Sequence, residues 1–252
     1  MSENWNAYLT QIKDSIASVL IDMGAVTYAP DAQRTWLIRV AIVLHHPDEH
    51  GMTSNEEFAA IQPLEEAIVD AIQQRLDAVN VGCMTYKGQR VIAFYSPTSD
   101  GIDVALAPVI RVHDTYELKN HAQVDADWGF YFNVLYPSPY ENQSMQNSSV
   151  LRNLVEHGDT LAQERPVSHW AYFPSDQARA QFNSAVQAKG FQIEENRERE
   201  GEDQPNRFGI RIERVDHVDQ ASIDQVTIEL YELAKSLDGD YDGWETMVVT
   251  GE

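Results

Sequence analysis

Thiols and cations are scarce in this chain, and each scarcity narrows what it can do. The single cysteine, Cys83 among 252 residues, can make no internal disulfide and has no second thiol for a Cys-based metal site, which fits a reducing compartment. It is expected to be a small core hydrophobe. Lysine and arginine total 18 against 40 aspartates and glutamates, a net charge of −22. The deficit is even along the chain. Residues 1–146 carry 8 basic and 19 acidic side chains (8 − 19 = −11), and residues 147–252 carry 10 and 21 (10 − 21 = −11). Nucleic-acid binding rests on cations that neutralise phosphates, so both halves argue against it and a basic protein partner suits the chain better. No apolar run is long enough to span a bilayer, and the start, Met1-Ser-Glu-Asn-Trp-Asn6, lacks the regions of a secretory signal. A cytoplasmic protein with no membrane contact is expected. Also missing are a Gly-rich phosphate loop, a nucleophile elbow and a paired metal motif, so the chain is not expected to be an enzyme.

What is present reads as an α+β protein of two α/β-sandwich domains. In the first half, Ile16–Met23 alternates as a strand and Trp36–Leu44, apolar except at Arg39, reads as a central strand covered on both faces. The polar stretch from His45 to Gly51 holds three histidines, Asp48 and Glu49, which are metal-ligand types. A short polar loop produces that composition by chance, and no metal is expected there. Ser54 and Glu57 have capping-box spacing, and a stripe from Phe58 through Ile61, Leu64, Ile68 and Ile72 predicts a helix, kinked at Pro63. Its acidic face, Glu57, Glu65, Glu66 and Asp70, is expected to be solvated. A hairpin turns at Lys87-Gly88 between Asn80–Tyr86 and Gln89–Ser96. A shorter helix carries Ile102 and Leu106, and two further strands are expected at Tyr116–Val124 and Gly129–Tyr136.

A boundary follows. The domains are placed at residues 1–137 and 147–252, joined by a proline-led polar linker at 138–146. Asn147 or Ser148 is expected to cap a helix that Gly158 stops. Then come a strand at Val167–Phe173, a helix with Ala178, Phe182 and Val186 inward, and a strand at Phe191–Glu195. After a charged loop at 197–205 follow a strand at Arg207–Val215, a long helix from Ile223 to Leu237, and a last strand. That order, β-α-β-β-α-β with one extra helix in front, is the ferredoxin-like plan.

Asp238-Gly-Asp-Tyr-Asp-Gly-Trp244 joins the last helix to the last strand, with Gly239 placed for the left-handed conformation and Tyr241–Trp244 read as a corner. Tyr241 and Trp244 are expected to anchor it in a core. In the functional reading, Asp240, Tyr241, Asp242 and Trp244 form part of a protein-binding surface. On the first strand of this half, Trp170 and Tyr172 share a face and are further contact candidates.

The block from Val150 to Val249 resembles the bacterial regulator of ribonuclease activity B, an inhibitor of ribonuclease E. The likeness is carried by Leu154, Glu156, Gly158, Asp159, Arg165-Pro-Val-Ser-His169, Tyr172-Phe173, Gly190-Phe191 and above all Tyr241-Asp-Gly-Trp244. It implies a ferredoxin-like fold, no cofactor, and regulation by contact with a protein, a ribonuclease E-type enzyme. That family tends to end in a long acidic tail, whereas the sequence here stops at Glu252. Residues 1–136 resemble a domain family of unknown function often placed upstream of it, through Trp36, Gly51-Met-Thr-Ser-Asn-Glu-Glu57, Val81-Gly82 and Trp128-Gly-Phe-Tyr-Phe-Asn-Val-Leu-Tyr-Pro137. The competing readings are an RNA-binding module, since β-α-β-β-α-β is also the RNA-recognition plan, and an uncharacterised enzyme. Phe208 shares its face with Ile210 and Ile212, which argues for core rather than base stacking.

Overall fold

The computed structural model describes residues 4–198 and 206–250. It divides into two compact units, Met1–Glu141 and Asn142–Glu252. The first unit runs β1 (Trp5–Ile12), β2 (Ser15–Asp22), a 3-10 turn (Met23–Thr27), β3 (Trp36–Val43), α1 (Asn55–Leu76), β4 (Val79–Tyr86), β5 (Gln89–Ser96), α2 (Ile102–Val112) and β6 (Leu118–Val124). Its strands form one sheet in the order β1-β2-β4-β5-β3-β6, every neighbouring pair antiparallel. The hairpin turn is made by Lys87 and Gly88, both at positive φ, the geometry that lets a two-residue loop match the strand twist. Helices α1 and α2 cover one sheet face: Ile61, Leu64, Ile68 and Ile72 join Ile38, Val40, Ile92, Phe94 and Leu106 in one buried cluster.

The opposite face holds a correction. Gly129–Tyr136, expected as a strand, is helical up to Leu135, with a π-helical turn at Tyr131–Leu135. Asp125 explains it. Its carboxylate accepts hydrogen bonds from the backbone N–H groups of Gly129 and Phe130, both at 2.9 Å, so it satisfies free amides at a helix start. Trp128, Tyr131 and Leu135 then fall at spacings of three and four and are fully buried. Trp128 stacks on Tyr95 at 4.0 Å, and the Tyr95 hydroxyl donates to Asp125 at 2.6 Å.

Ser54 caps α1 as expected, accepting from the Glu57 N–H at 3.2 Å. Glu57, expected on a solvated face, is instead buried and does not complete the box: its carboxylate accepts from the backbone N–H groups of His45 at 3.0 Å and His46 at 2.8 Å. Burial is the largest single influence and opposes its charge, but those two bonds, together with the Tyr116 hydroxyl and the His45 ring, outweigh it and hold its pKa below the usual carboxylate range. Glu57→Ala is therefore expected to destabilise the chain by about 1–3 kcal/mol, since it strips a charged acceptor from two amides. Urea denaturation measures it, and an unchanged midpoint would show that the two amides find water instead.

After β6 and the π-helical turn come α3 (Pro139–Glu156), whose first three residues still fall in the first unit, and then, in the second unit, β7 (Arg165–Phe173), α4 (Asp176–Gln187), β8 (Gln192–Glu198), β9 (Phe208–Asp216), α5 (Gln220–Ser236) and β10 (Asp240–Thr246). Its antiparallel sheet has the order β10-β7-β9-β8. This is the ferredoxin-like plan, with α3 as the extra helix. Ser175 and Asp219 cap α4 and α5 through their side chains. Phe182, Val186 and Leu230 of those helices pack with Phe173, Ile210 and Ile212 of the sheet, and Phe208 lies partly buried against the same cluster. Most of the charged loop expected at 197–205 lies outside the described residues.

The linker expected at 138–146 is corrected: it is the first half of α3, and Asn147 and Ser148 sit in mid-helix rather than at its cap. The start signal lies nine residues earlier than Asn147. Ser138 and Glu141 form a reciprocal capping box, the Glu141 N–H donating to Ser138 Oγ at 3.3 Å and the Ser138 N–H to the Glu141 carboxylate at 2.6 Å, with Pro139 in the first helical position, where its missing N–H costs nothing.

The end of the chain differs as well. Asp238, not Gly239, takes the left-handed conformation, at φ 55°. Gly239 is required for space: a Cβ there would lie 2.5 Å from the Phe173 ring. Tyr241–Trp244 is not a corner but part of β10, which carries a bulge between Tyr241 and Gly243. Among the described residues no helix is long and apolar enough to cross a membrane.

Candidate functional site

Strand β7 is central in the second sheet, and its alternation divides the candidate residues between two environments. Val167, His169, Ala171 and Phe173 face the helices. The hydroxyl of Tyr241 on β10 lies 2.8 Å from His169 Nδ1. Burial, with the nearby Arg214 charge, pushes the His169 pKa down to about 3, so its ring is neutral, and burial pushes the Tyr241 phenol well above its ordinary value.

Trp244 also points inward. It is 8% exposed, packs with Leu151, Leu154, Val167 and Ile223, and donates its indole N–H to Asn147 Oδ1 at 2.9 Å. Asn147 is fully buried, and its amide donates to Asp224 Oδ1 and Thr227 Oγ1, each at 2.7 Å. One asparagine thus ties α3 to α5 and β10. Trp244 is therefore a core residue and leaves the set of surface candidates, and Tyr241 belongs with it.

A second tie closes the loop after α3. Gly158 stops the helix at φ 89°, and the carboxylate of Asp159 then meets Arg165 at the start of β7, the two side chains 0% and 4% exposed. The Leu161 and Val249 N–H groups, at 2.8 and 2.7 Å, also donate to Asp159. Arg165 foremost, with those amides, draws the Asp159 pKa down to about 2 against the opposing effect of burial.

The other face of β7 carries Ser168, Trp170 and Tyr172. Trp170 is half-buried, with the Arg211 guanidinium of β9 5.4 Å from its ring centre. Arg211 donates to Ser168 Oγ at 3.0 Å, and Ser168 donates to Glu213 at 3.0 Å. Tyr172 differs from its neighbour. It is only 3% exposed, its hydroxyl accepts from Arg197 of β8, and its ring lies so close to Gly209 that a Cβ there would be 2.7 Å away. Tyr172 is therefore packed against Gly209 and Arg197 rather than presenting a ring of its own. At the β10 edge Asp240 and Asp242 are exposed. Asp240 accepts from Asn206, and the carboxylate of Asp242 helps keep Arg197 charged, after its bond to Tyr172 and alongside Glu195.

On this face an aromatic ring under a guanidinium, flanked by carboxylates, offers stacking, charge and hydrogen bonds. Arg197 and Arg211 were not singled out in the sequence. Their signal is the register, which sets Arg211 opposite Trp170 across β7 and β9. The histidines after β3 do not converge. His45 stacks on Tyr116 at 4.2 Å and its Nε2 lies 2.9 Å from the Thr115 carbonyl. Among the described residues no three His, Cys, Asp or Glu side chains are grouped to hold a metal ion.

The comparisons with known proteins divide as the units do. Residues 3–136, more than half of the chain, match a family of unknown function (DUF695). The chain belongs to this family. Residues 144–246 match the model described as regulator of ribonuclease activity B, so both resemblances read from the sequence are shown. No curated protein matches significantly. Solved structures include an unknown protein from Galdieria sulphuraria, 10% identical, with 85% of this chain and 99% of that chain covered at a TM-score of 0.25. Another is described as a glycine cleavage system transcriptional repressor, 10% identical, with 84% and 98% covered at a TM-score of 0.23. Likenesses this low in score carry no argument.

Several residues that carried the second resemblance in the sequence are tied into the fold: Asp159 with Arg165, His169 with Tyr241, and Trp244 through its bond to Asn147.

Proposed function

We propose that this chain is a non-catalytic regulatory protein that binds an RNA-processing enzyme of the ribonuclease E type and restrains it. The second unit makes the contact, in the cytoplasm and without a cofactor. The observation that carries this reading is the match of residues 144–246 to the ribonuclease-regulator model. The Trp170–Arg211 pair supports it, since tryptophan and arginine dominate the energetics of protein interfaces. So does the charge of −22, which steers association with a basic partner.

Calorimetric titration of the full chain into such an enzyme tests the proposal. Saturable binding is expected, weakening with salt. Trp170→Ala is expected to weaken it at least about tenfold, the cost of losing a hot-spot ring, with the melting temperature little changed. Asp240→Lys with Asp242→Lys should chiefly slow association. Single-stranded RNA at physiological salt is expected to give no gel shift. Saturable RNA binding that weakens with salt would instead favour the RNA-recognition reading.

A further inference from the structure

The first unit has a sheet wider than its helices cover. Six antiparallel strands need a layer on each apolar face, and on the α1 side the cluster formed by α1 and α2 reaches β4, β5, β3 and β6 and touches β2 only through Leu20. Beyond α1 lie β1 and β2, paired so that Trp5 stands opposite Asp22, Ala7 opposite Leu20 and Leu9 opposite Ser18. Alternation sends Trp5, Leu9, Ile16 and Leu20 to this same face. Trp5, Leu9 and Ile16 stay 42%, 67% and 40% exposed, and across from them Phe58 of α1 is 48% exposed. Scattered apolar residues on a surface need no explanation, but a contiguous patch between a helix and a sheet edge does.

Trp5 and Phe58 of this patch line a groove, while Leu9 and Ile16 lie on the same sheet face outside its walls. A cavity of about 670 Å³ runs between the flank of α1 and the strands, with Trp5, Leu20, Phe58 and Val69 among its walls. Arg90 also lines it; this side chain pairs with Glu65 at 2.5 Å, donates to Thr85 at 3.0 Å, and sits 5.9 Å from the Phe58 ring centre. The α1 wall carries Glu66 and Asp70, both exposed and lining the cavity. Among the described residues neither has a cationic partner: Glu66 accepts only an amide hydrogen bond from Gln62, at 3.1 Å.

The geometry points to a docking site for a basic amphipathic helix of a protein partner, laid beside α1 on β1 and β2. An α/β layer left half covered is completed by a helix. The wall from Phe58 to Gln73 spans about 22 Å at 1.5 Å per residue, matching a guest of about four turns whose apolar stripe meets Trp5, Leu9 and Phe58. Charge selects the guest: lysines or arginines flanking that stripe meet Glu66 and Asp70. A second copy of this chain is disfavoured, because it would bring another net charge of −22 to an acidic wall. This site does not depend on the ribonuclease reading, since it lies wholly in the first unit.

The test uses the full chain and a labelled synthetic helix of about 16 residues, with leucines at i, i+3, i+4 and i+7 spacing and lysines beside them, followed by fluorescence anisotropy at physiological salt. Saturable binding is expected. It should fall at least about tenfold in Leu9→Asp, and again in Glu66→Lys with Asp70→Lys. All three are exposed positions, so melting temperatures should hold. A peptide of the same composition in scrambled order should bind at least about tenfold more weakly, and Trp170→Ala should change nothing. Equal binding of the scrambled peptide would reduce the effect to non-specific charge attraction and overturn the proposal. So would absence of binding, indifference to the groove variants, or self-association of the chain abolished by Leu9→Asp.

Discussion

Trp244→Ala is expected to lower the stability of the second unit by about 3–5 kcal/mol, the range for truncating a buried aromatic. Two losses add. The indole leaves a hole among Leu151, Leu154, Val167, Val218 and Ile223, and Asn147 loses the donor that satisfied its carbonyl oxygen from β10. Gln143, 3.2 Å from the same oxygen, replaces that bond only in part. Trp244→Phe separates the two terms, because it keeps most of the volume while removing the N–H, and about 1–2 kcal/mol is expected from the hydrogen bond and the imperfect fit. Urea denaturation with a second-unit fluorescence probe reads both. An unchanged midpoint in Trp244→Ala would mean that the indole is not part of the core, and would return it to the contact surface.

Arg165→Met is expected to cost a similar amount, about 3–5 kcal/mol at neutral pH, because it strands a fully buried carboxylate. The pH dependence distinguishes this loss from a packing defect. Asp159 has a folded pKa near 2 against an ordinary 3.8. Its ionised form therefore stabilises the fold fully above pH 3.8, and that contribution fades as pH falls from there through 2. Removing Arg165 takes away the main cause of the depression. The gap between variant and parent should consequently be widest near neutrality and narrow steadily on acidification. A gap of constant size from pH 7 to pH 3 would contradict the ion-pair account.

Much of this fold was legible because local signals and the hydrophobic pattern agreed. The second unit's strands and helices followed from alternation at Val167–Phe173 and Phe208–Ile212 and from stripes such as Phe182 with Val186, each bounded by a cap or glycine that the structure uses. Failures came where a tertiary partner decided. Gly129–Tyr136 looked extended because its aromatics are dense enough to fit either period, and the carboxylate of Asp125, only four residues before Gly129 but bonded to Tyr95 across the fold, settled it as helix. Residues 138–146 looked like a linker because they lack aliphatics; the buried side of α3 is polar, with Gln143 bonded to Asn147 four residues on and Asn147 satisfied by partners 77 to 97 residues away in sequence. Such a stripe is invisible to a hydrophobic scan. Strand β1 carried no expectation at all, being an edge strand with an exposed apolar face.

The surface candidates were half legible for the same reason. Alternation placed Trp170 and Tyr172 together on one face, but only the cross-strand register brought Arg197 over one ring and Arg211 over the other. Burial then separated them. Tyr241 and Trp244 were expected to be structural and are, which turns the most recognisable motif of the chain into scaffold and moves the proposed contact to its neighbours, Trp170, Asp240 and Asp242.

The most direct test of the regulatory account is the rate at which a ribonuclease E-type enzyme cleaves a defined RNA while this chain is titrated in. The account predicts a saturable fall in rate that is independent of RNA concentration and shifts to higher protein concentration with Trp170→Ala. An unchanged rate at saturating protein, or a fall that disappears when RNA is in excess because the chain holds the RNA itself, would contradict it.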